Sequence, residues 1–363
     1  MKITIIGCGA GAFATAGDLS LKGHEITLYV EESHKKNFEI INETKSIVCY
    51  GTIQGVAPIH RITCNIEEAF EDYDLIMVVT PTFAHESIAK NIAPYIKDND
   101  TIILSPGSTG GALVFAKIFD DVKIEKNVKI AEIHTLPYTA RKVGMDGVNI
   151  MLEVKFLLFS VFPAKYNKKV YDIVKNLYPS LLLCNSVLET SLNNGNATTH
   201  PAPMVLNAGK IEYYGEHNHY SEEITPSVAK VIQDIDDERK NICRAFKYNE
   251  LDIKDRLYKM GYCPLKETVY ECIHGNTSIF LPIEGPHTLN NRYLTEDAPY
   301  SLVAMSSLAK IARVETPLMD SIINLAGSLM SENYWATGRN VHKMGIYGMT
   351  SDELKEYVKT GHK

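Results

Sequence analysis

Two groups of residues in this chain have the types and spacing to do chemistry. The first is Gly7-x-Gly9-x-x-Ala12, inside the opening stretch KITIIGCGAGAFATAGDLSLKGHEITLYVEE. The second is a pair of polar islands, LNNGNATTHPAPMVLNAG at 192–209 and GPHTLNNRYLTEDAPYSLV at 285–303, which carry His200, Arg292, Glu296 and Asp297. In the first group, Gly7 permits a tight turn, and Gly9 lets a backbone approach a pyrophosphate with no Cβ in the way. Ala12 lets helix and strand pack closely, and Ala10 and Gly11 open the helix whose N-terminal N–H groups face the phosphates. Glu31 follows the second apolar run, where a carboxylate accepts hydrogen bonds from an adenosine ribose, which favours NAD(H). His34, Lys35 and Lys36 provide the opposing signal. They are either partners for the 2′-phosphate of NADP(H) or a solvated charged loop.

The second group suits hydride transfer to a carbonyl or imine carbon. A histidine gives a proton to the developing alkoxide or amine and takes one back in reverse. A carboxylate on its other ring nitrogen fixes the tautomer and stabilises the imidazolium. An arginine clamps a substrate carboxylate through two parallel hydrogen bonds, a geometry lysine lacks. The residues alone leave other roles open. His200 before a proline also suits a capping or packing residue, and Glu296 and Asp297 also suit charges at a helix start.

These residues need elements to position them, and the chain is long enough to provide two domains. It has 363 residues, and single cores stop growing near roughly 250–300. Ile3–Ile6 and Ile26–Val30 read as strands around a small-residue helix at 13–21, the context that makes a glycine fingerprint credible. Leu75–Val79 leads into Thr80 and Pro81. Thr101–Leu104 leads into Ser105–Gly107, and KNVKIAEIHTLPYTAR adds another strand before Pro137 and Tyr138. Strands alternating with helices predict an α/β, Rossmann-type doubly wound parallel sheet, with ligands at the carboxyl ends of its strands. That places Thr80, Pro81, Ser105–Gly107 and Pro137–Tyr138 near cofactor or substrate, although each also reads as an ordinary loop.

From about residue 187 the apolar spacing turns helical, as in VAKVIQDIDDERKNICRAF at 228–246 and in PLMDSIINLAGSLMSENYW, where Pro317 suits a first helical turn. The expected division is a dinucleotide-binding domain at 1–186 and an α-helical catalytic domain at 187–363, with the boundary near 184–190. A net charge of −7 argues against non-specific nucleic-acid binding. No apolar run approaches the roughly 20 residues of a membrane span, and the N-terminus lacks the apolar core of a signal peptide. Cytoplasmic localisation is therefore the expectation. The seven cysteines are odd in number and form no CxxC pair, so reduced thiols and no metal site are expected.

Together the blocks VVTPTFAH, SPGSTGGAL, ETSLNNGNATTHPAPMVLNAGKIEY, ITPSVAKVIQDIDDER and GPHTLNNRYLTEDAPYSLVAMSSLAKIARVETPLMDSIINLA resemble the opine dehydrogenase family, the octopine/nopaline dehydrogenase group. The Asn-rich HP block and the RYxxEDxPY block are specific to that family. The glycine fingerprint is shared with ketopantoate reductases and many others. The resemblance implies a two-domain enzyme that joins an α-keto acid, with pyruvate the expected one, to the amino group of an amino acid and reduces the imine with NAD(P)H. It assigns the catalytic histidine to His200, its partner aspartate to Asp297, the keto-acid-binding arginine to Arg292 and an active-site asparagine to Asn196. Ala10 departs from the Asn of many relatives, which puts one cofactor contact in question, and Ala298 stands where Val is commoner.

The alternative on the same scaffold is a ketopantoate-reductase-like or 2-hydroxyacid dehydrogenase. Such reductases lean on a lysine acid, and none occurs between Leu192 and Gly209. A cofactor-binding sensor without turnover is the reading from another class. The expected partners are a small α-keto acid and an amino acid, with neither nucleic acid nor membrane, and a homodimer is left open.

Overall fold

The computed structural model describes the backbone of residues 1–363 and every side chain except those of Ser33, Lys35, Lys36, Asn37 and Phe38. The expected phosphate partners Lys35 and Lys36 therefore lie outside the described side chains. The chain forms two compact units, one of Met1–Gly107 with Gly111–Val187, the other of Ser108–Gly110 with Leu188–Lys363.

The first unit is built on an eight-stranded sheet in the order Leu181–Leu183, Leu157–Phe162, Lys129–Ile133, Thr101–Leu104, Leu75–Val78, Lys2–Ile6, Glu25–Tyr29, Arg61–Thr63. Its ladders are parallel except between Leu157–Phe162 and Lys129–Ile133, which run antiparallel. The strands read as continuous apolar runs because both faces are covered. Leu75–Val78, for example, is buried along its whole length. Lys2–Ile6 sits between Glu25–Tyr29 and Leu75–Val78, so the connections leave it in opposite directions. This topological switch point opens a crevice at the carboxyl ends of the strands.

A second sheet, which the sequence pattern did not announce, runs in the order Gly55–Pro58, Ser46–Gly51, Gly147–Glu153, Tyr138–Val143. The helix Ala10–Leu21 is buried from Ala12 through Ser20. Its small side chains have a physical reason, because a Cβ on Gly17 would lie 2.4 Å from Cys49 Sγ of the second sheet. Even the polar Asp18 in this helix is buried, and its carboxylate accepts hydrogen bonds from Tyr138 Oη at 2.5 Å and Lys22 Nζ at 2.6 Å.

The second unit is helical. Pro226–Phe246 is its longest helix, entered through Thr225, whose side chain caps Val228 N–H, and Pro226 in the first turn. One apolar face of that helix packs with Ile253, Leu257, Val269, Ile273 and Phe280. Among the described residues, no helix is long and apolar enough to cross a membrane. Among the described residues, none of the seven cysteines forms a disulfide.

Gly7 has φ +136°, and a Cβ there would lie 2.3 Å from the Val79 carbonyl oxygen, a backbone atom. Gly7→Ala is therefore expected to lose stability by about 1–3 kcal/mol or more, the cost of a strained backbone conformation. Urea denaturation of the purified variant checks this, and an unchanged midpoint would contradict the geometry.

Candidate active site

In the first unit, the turn after Lys2–Ile6 is anchored by Gly7 N–H donating to Tyr29 O at 3.1 Å, while Val79 N–H donates to Ile6 O at 2.9 Å. Gly9 is the N-cap of Ala10–Leu21 and brings no side chain to cap it. The first-turn N–H groups of Ala10, Gly11 and Ala12 are left to an external acceptor, an arrangement suited to a phosphate. A Cβ on Gly9 would meet nothing within 4 Å, so the space in front of this residue is open. Ala12 is fully buried, and Gly11 backs onto Leu136.

Thr80 Oγ1 and Ser105 Oγ lie buried at the carboxyl ends of their strands without a hydrogen-bond partner among the described residues. Orphaned hydroxyls at this edge call for a polar ligand. Pro81 starts the short helical turn Thr82–Ala84, and Glu31 lies just past Glu25–Tyr29, where its carbonyl accepts from His34 N–H at 2.8 Å. The residues of this crevice therefore fit a dinucleotide.

In the second unit, the two polar islands meet. Composition predicts a loop for the Asn-rich stretch and a helix after Pro201; the helix Pro201–Leu206 is there, but the chain before it is buried and includes a further short helix, Asn196–Thr199. His200 links these two helices. Its N–H donates to Asn196 O at 3.1 Å, and Pro201 begins the second helix where no N–H is needed. From the other island, Asn291 caps Arg292–Thr295, and Asp297 starts the π-helical turn Ala298–Leu302. His200 Nδ1 and Asp297 Oδ2 are 2.8 Å apart, with both side chains buried.

The other edges of the ring are occupied too. Tyr220 Oη lies 2.9 Å from Nε2, and the Tyr293 ring stacks on His200 with centroids 3.9 Å apart. Ser301 Oγ donates to Asp297 Oδ1 at 3.4 Å, and Asn194 Nδ2 donates to Ser301 Oγ at 3.0 Å. Burial and the nearby Glu296 charge push the Asp297 carboxyl well above the usual carboxylate range, while Arg292 and Ser301 pull it down. The proton of such a pair belongs to both partners.

Arg292 Nε donates to Glu296 Oε2 at 2.6 Å, and its side chain remains 62% exposed. The island carboxylates thus divide: Glu296 pairs with Arg292 and Asp297 with His200. Asn196 is half-buried at the start of its helix, with its N–H donating to Asn194 Oδ1 at 3.2 Å.

Beneath the Asn-rich stretch lies a buried ionic layer that sequence reasoning missed. Asp236 Oδ1 accepts from Arg239 Nε at 2.7 Å and from Arg256 Nη2 at 3.5 Å, and all three residues are fully buried. Arg239 Nη1 donates to Leu192 O at 3.2 Å, and Arg256 Nη2 approaches Thr198 Oγ1 at 3.4 Å, so the layer grips the stretch that ends at His200. The sequence signal was DDER, an acid and an arginine three apart inside a helical run. Tyr220, His217, His219 and Glu223 were missed as well. The HNHYSEE run that holds them lies outside both islands.

Residues 183–330 match the family model for the NAD/NADP octopine/nopaline dehydrogenase alpha-helical domain, and residues 2–132 match that for the NAD-dependent glycerol-3-phosphate dehydrogenase N-terminus. Over 355 residues, the chain is 34% identical to an opine dehydrogenase of Arthrobacter sp. (strain 1C), covering 98% of each. A structure of octopine dehydrogenase with NADH and L-arginine aligns with a TM-score of 0.78 at 20% identity, over 100% of this chain and 98% of that one. A structure of octopine dehydrogenase with NADH and pyruvate gives a TM-score of 0.76 at 20% identity and the same coverage.

Removing Asp236 strips two buried guanidinium groups of their shared carboxylate. Asp236→Ala is expected to cost about 3–5 kcal/mol, the usual penalty for breaking a buried ion pair from one side. Chemical denaturation measures it, and a loss below about 1 kcal/mol, the scale of an exposed pair, would show that the layer is not held as described.

Proposed function

The chain belongs to the opine dehydrogenase family, and from that premise we propose that it uses NAD(H) to condense pyruvate reductively with the amino group of an amino acid, giving an N-(carboxyalkyl)amino acid. As a member of that family it is a nicotinamide-dependent oxidoreductase. The observation that carries the finer reading is the buried 2.8 Å contact between His200 Nδ1 and Asp297 Oδ2, with Arg292 on the same segment as Asp297. The first unit holds the dinucleotide at Gly7, Gly9, Ala10, Gly11, Ala12, Thr80 and Pro81, and Glu31 takes the adenosine ribose, which favours NAD(H) over NADP(H). Bound there, the reduced nicotinamide supplies the hydride.

The remaining chemistry is binding and proton transfer. Arg292 has its Nε on Glu296, which leaves the two terminal nitrogens of an exposed guanidinium to take the keto-acid carboxylate as a bidentate pair. The amino acid arrives as an ammonium ion and must lose a proton before its nitrogen can attack the keto carbon. The carbinolamine hydroxyl must gain a proton to leave as water, and the amine formed on reduction takes up one more. A single group that cycles between base and acid serves all three steps, and the His200–Asp297 pair has that capacity. Asn196, half-buried and close to His200 in sequence, hydrogen-bonds the substrate in this scheme. A cytoplasmic location suits cysteines that form no disulfide among the described residues.

The wild-type protein with NADH is expected to oxidise it only when pyruvate and an amino acid are both present, followed at 340 nm across an amino-acid panel. Oxidation with a keto acid alone would instead identify a 2-hydroxyacid dehydrogenase. His200→Ala is expected to lower turnover about 10²–10⁴-fold, the usual contribution of general acid–base catalysis, while NADH still binds by fluorescence titration. Near-normal turnover would remove His200 from the mechanism. Arg292→Lys is expected to raise the KM for the keto acid more than that for the amino acid, because a lysine cannot form the paired contact.

A further inference from the structure

The proton that His200 exchanges has to leave through Nε2, since Nδ1 is engaged by Asp297. The atom at Nε2 is the hydroxyl of Tyr220, 2.9 Å away, and Tyr293 covers a face of the ring. From this arrangement we propose that Tyr220 is a further catalytic residue, whose hydroxyl carries the proton between His200 Nε2 and the substrate. The proposal rests on the reading of His200 as the acid–base group.

Tyr220 is held firmly enough for this role. Its ring stacks on Phe280 with centroids 4.4 Å apart and meets the His219 ring edge-on at 4.7 Å. It is buried, 5% exposed, in the apolar cluster around the helix Pro226–Phe246. The segment that presents it, His219–Glu223, is a π-helical turn, a rare geometry that is frequent at functional sites. Glu223 clamps that turn. One carboxylate oxygen contacts His217 Nε2 and the other lies 2.8 Å from His219 Nδ1, with all three side chains buried. The hydrogen bond to His217 ties the backbone of the turn to Glu223, and His219 Nδ1 lies close to the same carboxylate without hydrogen-bond geometry. Here that backbone carries Tyr220. A hydroxyl that merely filled space at Nε2 and stepped aside for substrate would not need such a mounting.

The relay balances. In the donating direction, Nε2–H passes its proton to Tyr220 Oη as the phenol releases its own proton to the departing hydroxyl or to the product nitrogen. His200 ends neutral and Tyr220 ends as it began. In the accepting direction, the phenol takes the ammonium proton and hands its own to Nε2. A phenol is suited to this because its hydroxyl both donates and accepts, and the transfer between Nε2 and Oη, at 2.9 Å, lies within the usual 2.6–3.2 Å reach.

Tyr220→Phe removes one oxygen and keeps the ring on Phe280, so it isolates the relay. In steady-state assays the variant is expected to lose about 100-fold in kcat, within the usual range for acid–base groups, with the KM values changed by less than about threefold. The wild type should show a curved proton inventory in H2O–D2O mixtures, as two protons in flight require, and the variant a linear one. Full kcat, or unchanged kcat with lower KM, would make Tyr220 a placeholder and overturn the proposal. If the phenylalanine variant does not fold, 3-fluorotyrosine at position 220 serves instead. Its more acidic phenol should move the basic limb of the kcat–pH profile to lower pH, and an unmoved limb overturns the relay. The comparison is run on whichever carbonyl, or carbonyl with amine, the wild type reduces. Loss of the two-substrate requirement then defeats the opine reading alone, and an indifferent Tyr220→Phe defeats the relay alone.

Discussion

Taking the His200–Asp297 hydrogen bond out of water is the act around which the second unit is arranged. A carboxyl and an imidazole each lose hydration on burial, and every lone pair or N–H left without a partner costs free energy. The surroundings answer atom by atom. Ser301 takes the second carboxyl oxygen, Asn194 supports Ser301, Tyr220 takes Nε2, and Tyr293 covers the ring. Such a network has little freedom to rearrange, because moving one member strands another. The same burial lifts the proton affinity of Asp297.

A second expensive burial supports the first. Asp236 with Arg239 and Arg256 places one negative and two positive groups where none is exposed. Desolvating them is unfavourable, and burial draws the Arg256 guanidinium down to about 10. The return is positional. The guanidinium groups hold Leu192 O and Thr198 Oγ1 at either end of the Asn-rich stretch, so the residues leading to His200 are set by strong, directional contacts rather than by apolar packing alone. A stretch rich in Asn and Gly, which on its own prefers turns, is thereby held as a buried short helix.

In the first unit the controlling constraint is space. Gly7 faces the Val79 carbonyl, and Gly17 faces Cys49. The tight turn before the helix and the middle of the helix itself therefore have no room for a side chain at these two positions. Its N-terminus points its unmet N–H groups toward the crevice beyond Gly9, beside the orphaned hydroxyls of Thr80 and Ser105. Structure and ligand chemistry are joined here by the same missing side chains.

Period and punctuation determined much of this protein from sequence alone. The strand Thr101–Leu104 and the helix ending at Phe246 are legible because local apolar spacing and capping residues decide them. The glycine fingerprint is legible for a similar reason, since backbone space is a property of residue type. The second sheet was not, because Ser46–Gly51 pairs in parallel with Gly147–Glu153 across a long stretch of chain, and no local pattern records that partnership. Nor was the loop around Asn193 read as buried, since burial of polar side chains depends on partners such as Arg239 that arrive from elsewhere. Sequence singled out His200, Arg292 and Asp297 as residue types able to do chemistry together. The residue types alone left Glu296 and Asp297 open as partners of His200 and the family resemblance named Asp297, whereas only the tertiary structure decided that a tyrosine stands at the other ring nitrogen. Hydrogen bonds act over about 3 Å, and separation along the chain says nothing at that scale.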